Sequence, residues 1–243
     1  MSTVATPTGA SERPTLAADT RGVARVMLAG AAAGAIAGAV VGGIGGRLVM
    51  LLLRLTSDPI VIGMISDDGF EIGRVTLGGT IGLMGGMAAL GAANGGLYAV
   101  LRSAIPLRLR APLWSLFGAA VGGYVFVHAD GVDFTFLEPL WFAVLAFVAL
   151  PGLAGLVVVL LVERWLRDPE RQPHPVALAV GAALGTVALV LVAALGLAVL
   201  AVRRLGLAAS AERLGRVVVP AGLVLGIAAG AWYTAVEAAR ILG

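Results

Sequence analysis

The sequence predicts an all-α integral membrane protein: a six-helix, glycine-rich transmembrane bundle carrying a small extracytoplasmic hairpin. Three observations point there. The chain is 59% apolar with only 13% charged residues, where a soluble domain carries about a quarter charged. Several apolar runs are long enough to cross a hydrocarbon core about 30 Å thick, which takes about 20 residues of helix. Glycine then recurs at every fourth position through the first run, at Gly30, Gly34, Gly38, Gly42 and Gly46.

The first element in the chain is a polar tail. Residues 1–21, with Ser2, Thr3, Pro7, Ser11 and Pro14, lack apolar periodicity and read as a disordered cytoplasmic tail. Residues 22–243 form the transmembrane domain, with spans expected at 23–46, 78–101, 112–128, 139–162, 175–202 and 217–236. The first run is too long for a signal-peptide core and reads as an uncleaved span. Pro112, Pro139 and Pro175 stand at span starts, where a missing N–H costs nothing. Pro151, inside the fourth span, should kink it. Trp114, Trp141, Trp165, Trp232 and Tyr233 fall near span ends, as an aromatic belt would.

The glycine ladder marks a helix face for close packing. Four residues advance an α-helix by about 400°, so the five glycines line a slowly winding groove about 24 Å long. Lipid tails are as apolar as leucine, so helices associate in bilayers through small residues that let backbones approach. Gly222, Gly226 and Gly230 repeat the spacing in the last span, and Gly78, Gly82 and Gly86 in the second.

Composition excludes several chemistries. The chain has no cysteine, and every basic residue is arginine. Schiff-base chemistry and a P-loop both need a lysine. Thiolate catalysis, iron–sulfur clusters and cysteine-ligated zinc need a cysteine. No GxSxG or HExxH motif occurs, so no enzyme activity and no cofactor are expected. The net charge of +3 is ascribed to arginines at membrane borders, and no nucleic acid partner is expected. The expected partners are the lipid bilayer and either further copies of the chain or other membrane subunits.

Orientation follows from the arginines. A cytoplasmic N-terminus places Arg13, Arg21, Arg25, Arg102, Arg108, Arg110, Arg164, Arg167, Arg171 and Arg240 inside a plasma (inner) membrane. It leaves Arg47, Arg54 and Arg74 outside. With six spans, Arg203, Arg204, Arg213 and Arg216 also fall outside, against the positive-inside rule. Moving them inside requires dropping a span or making one re-entrant.

Two polar features stand out. Arg47 follows the ladder and Asn94 interrupts the second span, so the pair would line any polar path through the bundle. The first outer loop, with branched residues flanking Asp68-Gly69, suits a tight hairpin of type I′. The outer loops also offer Asp67, Asp68, Glu71, His128, Asp130 and Asp133 as oxygen and imidazole donors for a cation, although their spacing matches no known loop. Glu237 and Arg240, one turn apart, are expected to pair at the inner interface.

The stretch from Gly46-Arg47-Leu48-Val49-Met50 through Ser66-Asp67-Asp68-Gly69-Phe70-Glu71-Ile72-Gly73-Arg74 to Gly78-Gly79-Thr80 resembles uncharacterised multi-pass membrane proteins of actinobacteria. The resemblance covers roughly the first third of the chain. It implies a high-GC source, which fits the lysine-free composition, and no particular activity. The functional expectation is a non-catalytic structural or accessory membrane protein that packs through glycine faces. The alternative is a small-solute or ion transporter or channel with an outer acidic vestibule.

Overall fold

The computed structural model describes residues 16–67, 69–168 and 186–243, with 175 and 179 between them. The proposed disordered tail lies mostly outside the described residues, as do Asp68 and much of the fifth stretch. Residues 16–21, expected in the tail, are instead the opening turns of a helix.

The described residues are helical and carry no strand. Helix α1 (Leu16–Ala37) runs through a widened π segment (Gly38–Ile44) into α2 (Gly45–Thr56). A loop leads to α3 (Leu77–Leu101), then α4 (Arg110–Phe126), the short α5 (Val132–Thr135) and α6 (Leu140–Arg167). Helices α7 (Thr186–Arg204) and α8 (Ala208–Leu242) complete the order. Among the described residues, four helical stretches are long and apolar enough to cross a membrane: Thr20–Thr56, Leu77–Leu101, Leu140–Arg167 and Ala209–Leu242. At 17 residues α4 is shorter than these.

The ladder is a packing face along its first half. A Cβ on Gly30 would strike the backbone oxygen of Gly95, one on Gly34 that of Gly91, and one on Gly38 that of Met87. The clash is reciprocal, because Gly91 and Gly95 would strike Gly34 and Gly30. Each four-residue step up α1 is therefore matched by a four-residue step back along α3, and two antiparallel backbones touch. Carbonyls lying over glycine Cα–H groups add weak hydrogen bonds to this dispersion contact.

Beyond Gly38 the ladder leaves the seam. A π turn takes in about one residue more than an α turn, so four-residue spacing no longer tracks one face. A Cβ on Gly42 would meet only the Met87 side chain at 3.2 Å, and one on Gly46 only Leu83 Cδ2 at 4.0 Å. Gly43, off the expected register, is the residue that now packs tightly, its Cβ position 2.8 Å from Met84 Cγ.

A second seam joins α4 to α6. Pro151 presses its ring against Gly122, while its carbonyl oxygen lies 2.6 Å from a Cβ built on Gly118. Gly155 answers across the same interface, where its Cβ would stand 2.8 Å from the Trp114 carbonyl oxygen. Ser115 Oγ donates to Gly152 O at 2.9 Å, using a carbonyl near the proline gap. Helix α8 lies along α4, where a Cβ built on Gly230 would stand 2.7 Å from the Ala120 carbonyl oxygen and one on Gly123 would strike Thr234. A Cβ on Gly226 would make ordinary contact with Phe117 at 3.6 Å, whereas one on Gly222, expected on the same face, would meet nothing within 4 Å among the described residues.

The direction of α8 revises the topology. Gly215 lies beside Ala104 at one end, and Glu237 accepts from the amide of Ala129 at the other. Helix α8 thus rises parallel to α4 and finishes at the hairpin end, with Glu237 and Arg240. Those two residues pair, at 2.7 Å, but not at the end expected. Arg203, Arg204, Arg213 and Arg216 correspondingly belong to the end that holds Arg102, Arg110 and Arg164. Arg167 and Ala208, which bracket the fifth stretch, thus both lie at this arginine-rich end, and much of the chain between them falls outside the described residues.

Trp114 is also displaced from the expected belt. It is fully buried, tilted against Tyr98 at 5.2 Å and Phe117 at 5.3 Å between ring centroids. Trp141 and Trp232, both well exposed, keep positions suited to a lipid interface.

Candidate functional site

The first outer loop folds as a hairpin closed by one bridge, Ile65 to Glu71. The amide of Gly63 donates to Ile72 O at 3.0 Å and that of Ile72 to Met64 O at 2.8 Å. Its tip differs from a type I′ turn. The Gly69 amide donates back to Ser66 O at 2.9 Å, and Gly69 itself takes φ +78°, so the glycine follows the turn rather than sitting at its centre.

Asp67 ties this hairpin to the next loop. Its Oδ1 accepts from Val132 N at 2.9 Å and its Oδ2 from Asp133 N at 3.1 Å, which caps the start of α5 from another part of the chain. A side chain on Gly131 would run into the same carboxylate, 2.5 Å from Oδ2. Asp67→Ala should therefore loosen residues 129–136 by about 1 kcal/mol. Hydrogen exchange at Val132 and Asp133 is the check, with Asp67→Asn retaining part of the protection.

The cation donors meet other partners. Glu71 pairs with Arg74 at 3.1 Å, Asp130 is exposed, and Asp133 is buried at 2% exposure. His128 sits with Nε2 2.9 Å from Val125 O and Nδ1 3.3 Å from the Tyr233 hydroxyl. A carbonyl can only accept, so Nε2 carries the proton and Nδ1 accepts from Tyr233. Both ring nitrogens are committed. Among the described residues, no three acidic or histidine side chains converge to hold a metal ion, and Asp68 lies outside them.

The two expected path residues line one cavity of about 640 Å³, walled by α1–α2, α3, α4 and α6. Extending the seam register places Arg47 opposite the first turn of α3, which agrees with Arg47 Nη2 lying 2.8 Å from a Cβ built on Gly79. Asn94 lies 15 residues further along α3, roughly 20 Å deeper at 1.5 Å per residue. Between them the lining is apolar: Leu83, Met87, Leu90, Val121 and Leu150. The mouth is basic rather than acidic, holding Arg47, Arg54 and Arg74 against Glu71. The Arg47 guanidinium rests on the Phe70 ring at 4.4 Å. Among the described residues, the Nε atoms of Arg47 and Arg54 are buried without a hydrogen-bond partner.

At the opposite end lies a polar cluster that the sequence reading did not single out. Glu163 Oε1 accepts from Tyr98 at 2.8 Å and Arg102 Nε at 3.0 Å, and its Oε2 from Arg102 Nη2 at 3.0 Å. Arg110 Nη1 reaches both oxygens at 3.0 Å, while its Nε donates to Ile105 O at 3.1 Å. One carboxylate thus joins the ends of α3, α4 and α6 above the buried Trp114. The signal was present in the sequence as a lone glutamate near the end of a long apolar run, with Arg102 closing the second span and Arg110 just ahead of the third.

No family model, no curated protein and no solved structure matches this chain.

Proposed function

We propose that this is a non-catalytic membrane protein that works by assembly, with copies of itself or with other membrane subunits. The carrying observation is the uncovered glycine face of α3. Gly78, Gly82 and Gly86 repeat at four-residue spacing, are exposed, and among the described residues have nothing within 4 Å of their Cβ positions. The seam glycines Gly34 and Gly91 are occupied by contacts within the chain, so the open stripe is the small-residue surface left for another helix. A non-catalytic role also fits the use of buried charge. Glu163 serves two arginines and a tyrosine, and Glu237 serves Arg240 and a loop amide.

In this reading the arginine-rich end faces the cytoplasm. Arg21, Arg25, Arg102, Arg108, Arg110, Arg164 and Arg167 share that side with Arg203, Arg204, Arg213 and Arg216, which the positive-inside rule favours. The setting in this reading is the plasma membrane, and the resemblance noted above points to an actinobacterium. In the same reading the crossings among the described residues are α1–α2, α3, α4, α6 and α8, where the sequence led us to expect six spans.

Native mass spectrometry after gentle extraction from host membranes tests the proposal. A stoichiometric complex, of one chain or of two kinds, is expected, and Gly82→Leu should dissociate it while leaving the thermal midpoint of the separated chain unchanged. A monomer throughout would overturn it. The transporter reading is favoured by one observation, the cavity shared by Arg47 and Asn94. Its basic mouth suits an anion better than the cation first expected.

A further inference from the structure

The cavity divides by chemistry along its length. One end holds three arginines and one glutamate, and the body is a slot of aliphatic side chains. Its volume, about 640 Å³, lies within the roughly 300–1,000 Å³ common for small-molecule sites. Leu51 and Leu90 line it and are also well exposed, so the slot opens towards the hydrocarbon rather than only to water.

We infer that the cavity holds an anionic bilayer lipid from the leaflet at the hairpin end, with one acyl chain in the slot and its phosphate against Arg47 and Arg54. Four observations carry this. The guanidiniums are partly buried, and each has a buried Nε lacking a partner among the described residues. Arginine is the side chain suited to forked recognition of phosphate oxygens. The nearest carboxylate among the lining residues, Glu71, is already paired with Arg74. The first turn of α3 lies at the level of Arg47, and a helix N-terminus adds positive potential there. Arg47 is also held in place by Phe70, which orders the cation before any ligand arrives. The inference stands apart from the assembly proposal, because neither Gly78, Gly82 nor Gly86 lines the cavity.

The test uses the full chain in a neutral maltoside detergent, with native mass spectrometry as readout and thermal midpoint as the folding check. The probes are phosphatidylglycerol, phosphatidylcholine with the same acyl chains, oleate and inorganic phosphate. Phosphatidylglycerol should bind one per chain, and phosphatidylcholine about tenfold or more weaker, the loss expected for a charge-assisted contact. The pair Arg47→Gln and Arg54→Gln should remove that preference, Arg47→Lys should keep part of it, and Val121→Trp should expel the chain with both arginines intact. Equal retention of the two lipids overturns the inference. So does displacement of phosphatidylglycerol by inorganic phosphate alone, which would mark a free-phosphate site, or preferential binding of oleate, which would mark a single-chain ligand. If Arg47→Gln lowers the thermal midpoint, Val121→Trp alone decides: unchanged phosphatidylglycerol binding in that variant overturns the proposal.

Discussion

Gly34→Leu should lower the thermal midpoint by roughly 10 °C, the loss expected when about 3 kcal/mol of overpacking enters a chain of this size. The obstacle is backbone and not side chain. A Cβ at residue 34 would overlap the Gly91 carbonyl oxygen, and the Gly95 amide nitrogen stands 3.0 Å away. Neither can rotate aside, so α1 and α3 must separate. Separation would also strand Ala31, Ala35, Ala88 and Ala92, whose burial depends on the same approach. Gly222→Leu is the matched control, since open space surrounds that position, and it should change stability by less than about 0.5 kcal/mol. Equal tolerance at the two positions would show that the seam does not hold the bundle together.

Glu163→Gln should be the next most damaging substitution, costing about 3 kcal/mol by leaving two partly buried guanidiniums without their carboxylate. The Arg102 and Arg110 side chains are only 23% and 15% exposed, so water replaces the lost partner poorly. Glutamine is nearly isosteric, which isolates the charge from the shape. Converting the three charged positions together to apolar residues of similar volume should recover most of the loss, because an apolar set avoids the desolvation penalty. Tyr98→Phe removes one hydrogen bond from the same carboxylate and should cost about 1 kcal/mol. Denaturant unfolding in mixed micelles gives all of these values on one scale. A Glu163→Gln variant as stable as the parent would mean that the cluster is solvated and structurally idle.

Helical class and membrane character were legible because they depend on composition and run length, which no tertiary contact overrides. The seam was legible only as far as Gly38. Spacing assumes one residue count per turn, and the π segment at Gly38–Ile44 changes that count, so Gly46 lost its partner and Gly43 gained one. Span direction was harder still. Arg203, Arg204, Arg213 and Arg216 had already signalled a conflict with six single crossings, yet only the pairing of Gly215 with Ala104 and of Glu237 with Ala129 shows which end each occupies. The outer loops misled for a related reason. Asp67, Glu71 and His128 have the donor chemistry of a cation site, but their lone pairs are used by loop amides, an arginine and a tyrosine hydroxyl. Donor type is a property of sequence, whereas the partner a donor has already taken is a property of the fold. The cluster around Glu163 is the converse case, three span ends far apart in the chain joined by one carboxylate.

The seam between α1 and α3 also bears on the order in which the bundle forms. Its two helices are consecutive crossings joined by the hairpin-bearing loop 57–76, and its contacts need no residue beyond Arg102. The entropic cost of closing a loop grows only slowly with its length, and the hairpin within this one shortens its free part. The α1–α3 hairpin can therefore zip shut while the ribosome is still making α4, giving later helices a finished surface on which to dock. On that schedule, glycine at 34 and 91 governs the earliest committed step of biogenesis, and a lesion there should surface as failed insertion and rapid proteolysis before it is ever measured as a melting temperature.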